Sequence, residues 1–137
     1  MNITIGQGLW LKMPFADGGK CNYERPFLVI RIDSQNNKLL LLNVSSIKGK
    51  THKLLFDSNR RLPKYNPPLS EPSFVKLDAL YTIEYYDDLQ TKLLSTGKQY
   101  DYEELQRITQ LFDTYRKIKK NVLEVTYDQK TLIAINS

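Results

Sequence analysis

Cysteine occurs once in this chain, at Cys21, and histidine once, at His52. A lone thiol leaves no disulfide framework within the chain. One Cys and one His also exclude a Cys/His zinc site built by a single subunit, because structural zinc takes four such ligands. No metal ligand set and no cofactor is expected. Long apolar runs are missing as well: none approaches the roughly 18–20 residues that carry a helix across a bilayer. Met1 to Ile5 has no basic leader ahead of an apolar run, so the expectation is a cytoplasmic protein without membrane contact. Gly18-Gly19 lacks the Lys-Ser/Thr ending of a phosphate loop, and no serine sits in a nucleophile elbow. P-loop nucleotide chemistry and a serine-hydrolase triad are thereby excluded.

What is present is globular. Hydrophobic residues make up 41% and charged residues 26% of 137, enough for one domain spanning 1–137 with a real core. The net charge is +5, from 20 Lys and Arg against 15 Asp and Glu. It is concentrated: between Lys48 and Lys64 stand Lys48, Lys50, Lys53, Arg60, Arg61 and Lys64, opposed only by Asp57. Such a localised excess is the footprint of a polyanion partner or a solubilising loop.

Strand signals dominate the first half. Gly8–Met13 is a short apolar run ending at Pro14, and Phe27–Ile32 is strongly β-prone, closed by the turn residues Asp33 to Asn37. Lys38–Val44 is nearly continuous in apolar residues, the pattern of a strand covered on both faces. Thr51–Phe56 reads as a fourth strand, and strand character returns at Phe74–Leu77 and Leu80–Ile83. Between Asp57 and Pro72, four prolines argue for irregular chain. Asp101 followed by Glu104 resembles a capping box, and Leu105, Ile108, Leu111, Phe112, Tyr115, Ile118 and Val122 then form one helical stripe. From Val122 to Ile135 a terminal β-hairpin is expected, turning near Asp128-Gln129. The reading is α+β, mainly β, with a curled sheet and a late helix.

The residues that carry chemistry are cationic and hydroxylic. Arg25 ends the Gly-containing loop just before a buried strand, and Ser45 and Ser46 end the strand that should pair with it. A guanidinium beside hydroxyls suits a phosphate; the alternatives are an ion pair of Arg25 with Asp17 or Glu24, and ordinary strand-end hydrogen bonds for the serines. His52 is an acid–base group or an incidental surface residue. Phe56, Tyr65, Phe74 and Tyr81 are in range as stacking surfaces, with core packing the better reading of Phe56 and Phe74.

Trp10-Leu11-Lys12-Met13-Pro14-Phe15, followed by Arg25-Pro26-Phe27-Leu28-Val29-Ile30, resembles the opening of the MazF/PemK-type toxins. Leu41-Leu42-Asn43-Val44-Ser45-Ser46 resembles that family's strand ending in a Thr/Ser pair, and Ser73–Ile83 its next shared segment. Leu94, Gly97 and Glu103–Ile108 are similar to its last turn and helix. The resemblance covers residues 8 to 120 in order, leaving 121–137 as a C-terminal extension. Lys20 stands where many relatives carry Glu, and Ser45 where they carry Thr.

The resemblance implies a dimeric SH3-like small barrel of the CcdB/PemK type. The implied activity is a toxin, held by an acidic antitoxin, that cleaves single-stranded RNA without a metal. It assigns the catalytic pair to Arg25 and Ser45, with Ser46 adjacent, and maps an acidic and a basic residue onto Asp78 and Lys76. Cleavage through the 2′-hydroxyl needs a proton acceptor, a proton donor and a cation near the phosphorus. Arg25 is expected to stabilise charge and protonate the leaving oxygen, Ser45 to position the phosphate, and Asp78 to act as base or as a structural carboxylate. Lys20, Lys48, Lys50, His52, Lys53 and Lys76 are the expected RNA-backbone contacts. Competing expectations are a catalytically silent nucleic-acid-binding barrel, which needs only the basic stretch, and a gyrase-directed toxin on the same scaffold, which needs no Arg25–Ser45 pair.

Overall fold

Alternating apolar residues on two nine-residue strands organise the fold. In the computed structural model, which describes residues 1–137, these are β2 (Arg25–Asp33) and β3 (Lys38–Ser46). Phe27, Val29, Leu39 and Leu41 face one core, while Leu28, Ile30, Leu42 and Val44 face another. A strand buried on both faces reads as a continuous apolar run, which is why its sequence signal is so strong. The turn between them is held by Asp33, which accepts from the Asn36 backbone and side chain at 3.3 and 2.8 Å, with Asn37 at φ 57°. A bulge between Val29 and Arg31 adds local twist.

The remaining strands are β1 (Gly8–Leu11), β4 (Asn59–Arg61), β5 (Ser73–Lys76), β6 (Ala79–Glu84) and β7 (Leu123–Tyr127). All pairings are antiparallel except β6 with β7. The order is β1-β2-β3-β5-β4, with β6 and then β7 branching from β3. The sheet is open, since β1 and β4 do not pair. The decisive feature is the branch. Lys38–Leu41 of β3 pair with β6, whereas Val44–Ser46 pair with β5, so the sheet forks at Leu42 and Asn43.

Helix α1 (Tyr102–Lys119) covers one face with Leu105, Ile108 and Phe112, each almost fully buried and worth about 1.5–3 kcal/mol of transfer free energy. Asp101 caps it by accepting from the Glu104 backbone N–H at 3.1 Å. The apolar stripe stops short of its expected end, because Ile118 is exposed. The same helix is tied to β2 by a two-pronged Arg31–Asp113 pair, which raises the Arg31 pKa and lowers that of Asp113.

Two expected strands are not formed. Thr51–Leu55 is a 3₁₀ turn, and Leu55 is exposed. The edge of β3 it would have needed is already taken by β5, and Ile47 continues that pairing with the Pro72 carbonyl. The terminal hairpin is replaced by β7 and helix α2 (Gln129–Asn136). Strand β7 fills the free edge of β6, and Asp128 is not a hairpin turn but a helix cap, accepting from Thr131 N at 2.8 Å. Leu132 then buries completely in the first core, and Asn136 bonds the Lys12 backbone in both directions. The proline-rich segment is also less irregular than expected, since β4 lies within it.

Candidate functional site

Arg25 is the first residue of β2, pairing with Leu11 of β1 beside the sheet fork. Its side chain turns inward and is only 6% exposed. Nη2 donates to the Met13 and Pro14 carbonyls at 2.9 and 3.2 Å. The guanidinium lies 4.4 Å from the Phe15 ring centre, 5.1 Å from Phe27 and 5.6 Å from Tyr81. Its Nε is buried with no hydrogen-bond partner. No carboxylate pairs with it, so the ion pair with Asp17 or Glu24 does not form. Burying a cation among aromatic rings without a counter-charge costs several kcal/mol, and cation–π contacts return only about 2 kcal/mol each at best. An anion placed here would supply the missing counter-charge.

The fork supplies the surroundings. Opposite Asn43, the chain crosses from β5 to β6 through Leu77 and Asp78, bringing Lys76, Asp78 and Arg25 together. A groove of about 430 Å³ runs from Arg25 past Ser45, Ser46, Lys50 and Lys76, with Trp10 and Tyr23 on its walls. Lys50 Nζ donates to Ser45 Oγ at 3.1 Å, and Ser46 Oγ accepts from the Lys48 backbone N–H at 3.2 Å. Lys76 has a lowered pKa, chiefly because it is partly buried, then because Lys53, Arg25 and Lys50 are near, while Asp78 opposes the shift. The cationic cluster is therefore under mutual repulsion, which a bound phosphate relieves.

Of the residues expected from sequence, Arg25, Ser45, Ser46, Lys50 and Lys76 line this one groove, and Asp78 lines a smaller cavity that shares Arg25 and Lys76 with it. Lys53 is close enough to affect Lys76. Lys20, Lys48 and His52 are exposed and outside both linings. Lys64 is engaged with Asp101 at 3.6 Å. Among the aromatics, Phe74 is core, Phe56 is exposed against expectation, and Tyr81 lies under Arg25. Asn43, Trp10, Phe15 and Tyr23 were not expected as site residues. Asn43 carried the one available signal, an amide inside an apolar strand.

No three of the His, Cys, Asp and Glu side chains gather where they could hold a metal ion. No helix is long and apolar enough to cross a membrane. No protein-family model matches the chain, and no curated protein matches it.

Proposed function

We propose that this protein is an endoribonuclease that cuts single-stranded RNA without a metal, through attack of the RNA's own 2′-hydroxyl. The observation that carries the reading is Arg25: a buried guanidinium with an unpartnered Nε and no salt bridge, at the head of a groove that holds serines and in which Lys50 and Lys76 stand with Arg25 against Glu24 and Glu71. The 2′-oxygen bonds to phosphorus as the bond to the 5′-oxygen breaks, giving a cyclic phosphate and a free 5′-hydroxyl. Arg25 stabilises the charge that builds on the phosphoryl oxygens. Ser45, with Lys50 bonded to it, holds the phosphate in line. Asp78 takes the 2′-proton. Lys76, whose lowered pKa makes it a readier proton donor than an ordinary lysine, gives its proton to the departing 5′-oxygen.

The wider biology follows from the resemblance in motif order: a toxin restrained by an acidic antitoxin protein, acting as a homodimer, on a bent sheet that is an open version of the SH3-like barrel. Purified protein should cut single-stranded RNA in excess EDTA and leave 5′-hydroxyl ends. Intact RNA across varied sequences at low salt would sink the catalytic reading. One observation favours a binding-only version, namely that Arg25 Nη2 is already engaged by two backbone carbonyls. That version predicts salt-dependent RNA affinity with no cutting.

A further inference from the structure

The groove is not the whole of the site. A second cavity of about 140 Å³ adjoins it and shares Phe15, Arg25, Asn43 and Lys76 with it. Its remaining wall is of a different character: Asp17, Asp78, Ala16, Ala79, Tyr81 and Leu123. Leu123 belongs to the C-terminal extension, and its backbone N–H is fastened to the Asp78 carbonyl at 3.0 Å. The extension thus builds part of the site as well as covering the sheet.

Charge divides the labour between the two cavities. In the groove, Arg25, Lys50 and Lys76 outnumber Glu24 and Glu71 and attract a phosphate. In the smaller cavity Asp17 and Asp78 balance Arg25 and Lys76, and half the lining is apolar. Its volume holds roughly five waters, room for one ring with its exocyclic groups rather than for a nucleotide. A neutral, flat group that both donates and accepts hydrogen bonds suits it. We infer that this cavity is a base subsite flanking the phosphate at Arg25, and that it takes cytosine. The N4 amino group of cytosine donates to carboxylates, whereas uracil presents an acceptor at the same position. The Phe15 ring and the apolar Leu123 supply the surfaces against which the base packs.

This inference rests on the polyanion reading of the groove but not on cleavage, so the test uses RNA that cannot be cut. Fluorescence anisotropy of 2′-O-methyl oligocytidylate and oligouridylate with the intact protein should show cytosine bound about ten-fold more tightly. Asp17→Asn keeps the turn in which Asp17 Oδ1 accepts from Gly19 N at 2.9 Å, but replaces the second oxygen with a donor. It should erase the cytosine preference or reverse it towards uracil. Leu123→Trp fills the cavity from its exposed rim and should remove the preference while leaving oligouridylate affinity within about two-fold of wild type. Equal affinity of the wild type for both oligomers would overturn the base subsite and leave the ribonuclease reading standing. Cytosine preference with no cutting of ordinary RNA would overturn the ribonuclease reading and leave the subsite standing.

Discussion

Replacing Arg25 by lysine separates the functional role of the guanidinium from its structural one. Lysine keeps the charge but gathers its three donors on one nitrogen, so it loses the fork in which Nη2 holds the Met13 and Pro14 carbonyls while Nε and Nη1 are left to face a phosphate. One charge-assisted hydrogen bond to carbonyl is lost, and the stack against Phe15 weakens. Net, this should cost about 1–2 kcal/mol of stability, or roughly 3–6 °C in Tm for a chain of this size. The transition state loses more, because the oriented donors aimed at the phosphoryl oxygens go with the fork. Removing such a donor costs about 10²–10³ in rate, near 3–4 kcal/mol. Thermal unfolding by circular dichroism and cutting of a quenched single-stranded RNA reporter in EDTA measure the two effects on one preparation. The expected pattern is a folded variant, slightly less stable, with cutting reduced at least a hundred-fold. A variant that loses the stability and cuts at the wild-type rate would refute the argument, since Arg25 would then be only a packing residue.

Other consequences concern Lys76, the helix and a buried phenol. The Lys76 pKa is lowered in the folded protein, so the unfolded chain holds more protons between that value and the ordinary 10.5. Its contribution to stability therefore rises with pH across that window. Phosphate binding favours the charged form and runs the other way: RNA affinity should begin to fall below pH 10.5, and Lys76→Arg should move the fall to higher pH in a binding titration. Phe112→Ala removes a fully buried ring from the α1 face and should cost about 3–5 kcal/mol by urea unfolding, with the groove residues untouched. The Tyr100 hydroxyl is buried without a well-formed hydrogen bond, and its pKa is pushed up to about 12, mainly by burial and then by Glu104, against a weak opposing contact with the Lys64 backbone. Tyr100→Phe should stabilise the protein by about 1 kcal/mol in the same assay; a clear loss of stability would mean the hydroxyl is satisfied.

Much of the fold was legible because its strongest elements obey local rules. β2 and β3 are buried on both faces, which imprints a continuous apolar run, and Asp101 with Glu104 marks the start of α1. The errors arose where competition for an edge decides the outcome. Thr51–Leu55 has strand-like residues, but β5 occupies the edge it required. The tail is rich in Thr and Ile, yet Asp128 caps a helix once β7 has completed the sheet. The site was half legible. Arg25 and the two serines could be picked from residue type and order, whereas the fork at Leu42 and Asn43 depends on which strand each half of β3 chooses. No local pattern encodes that choice, so Phe15 and Leu123 were invisible beside the candidate site until the sheet was assembled, and Asn43 showed only as an amide inside an apolar strand.

The central claim is that the attacking group belongs to the RNA and is oriented at Arg25. It is tested most directly by a pair of otherwise identical single-stranded RNAs, one with a single 2′-deoxynucleotide on the 5′ side of the bond that is cut. In EDTA, the all-ribose strand should be cleaved there to a 5′-hydroxyl end and a cyclic phosphate, and the deoxy-substituted strand should survive at that bond. Equal cleavage of both strands, or of neither, would contradict the account.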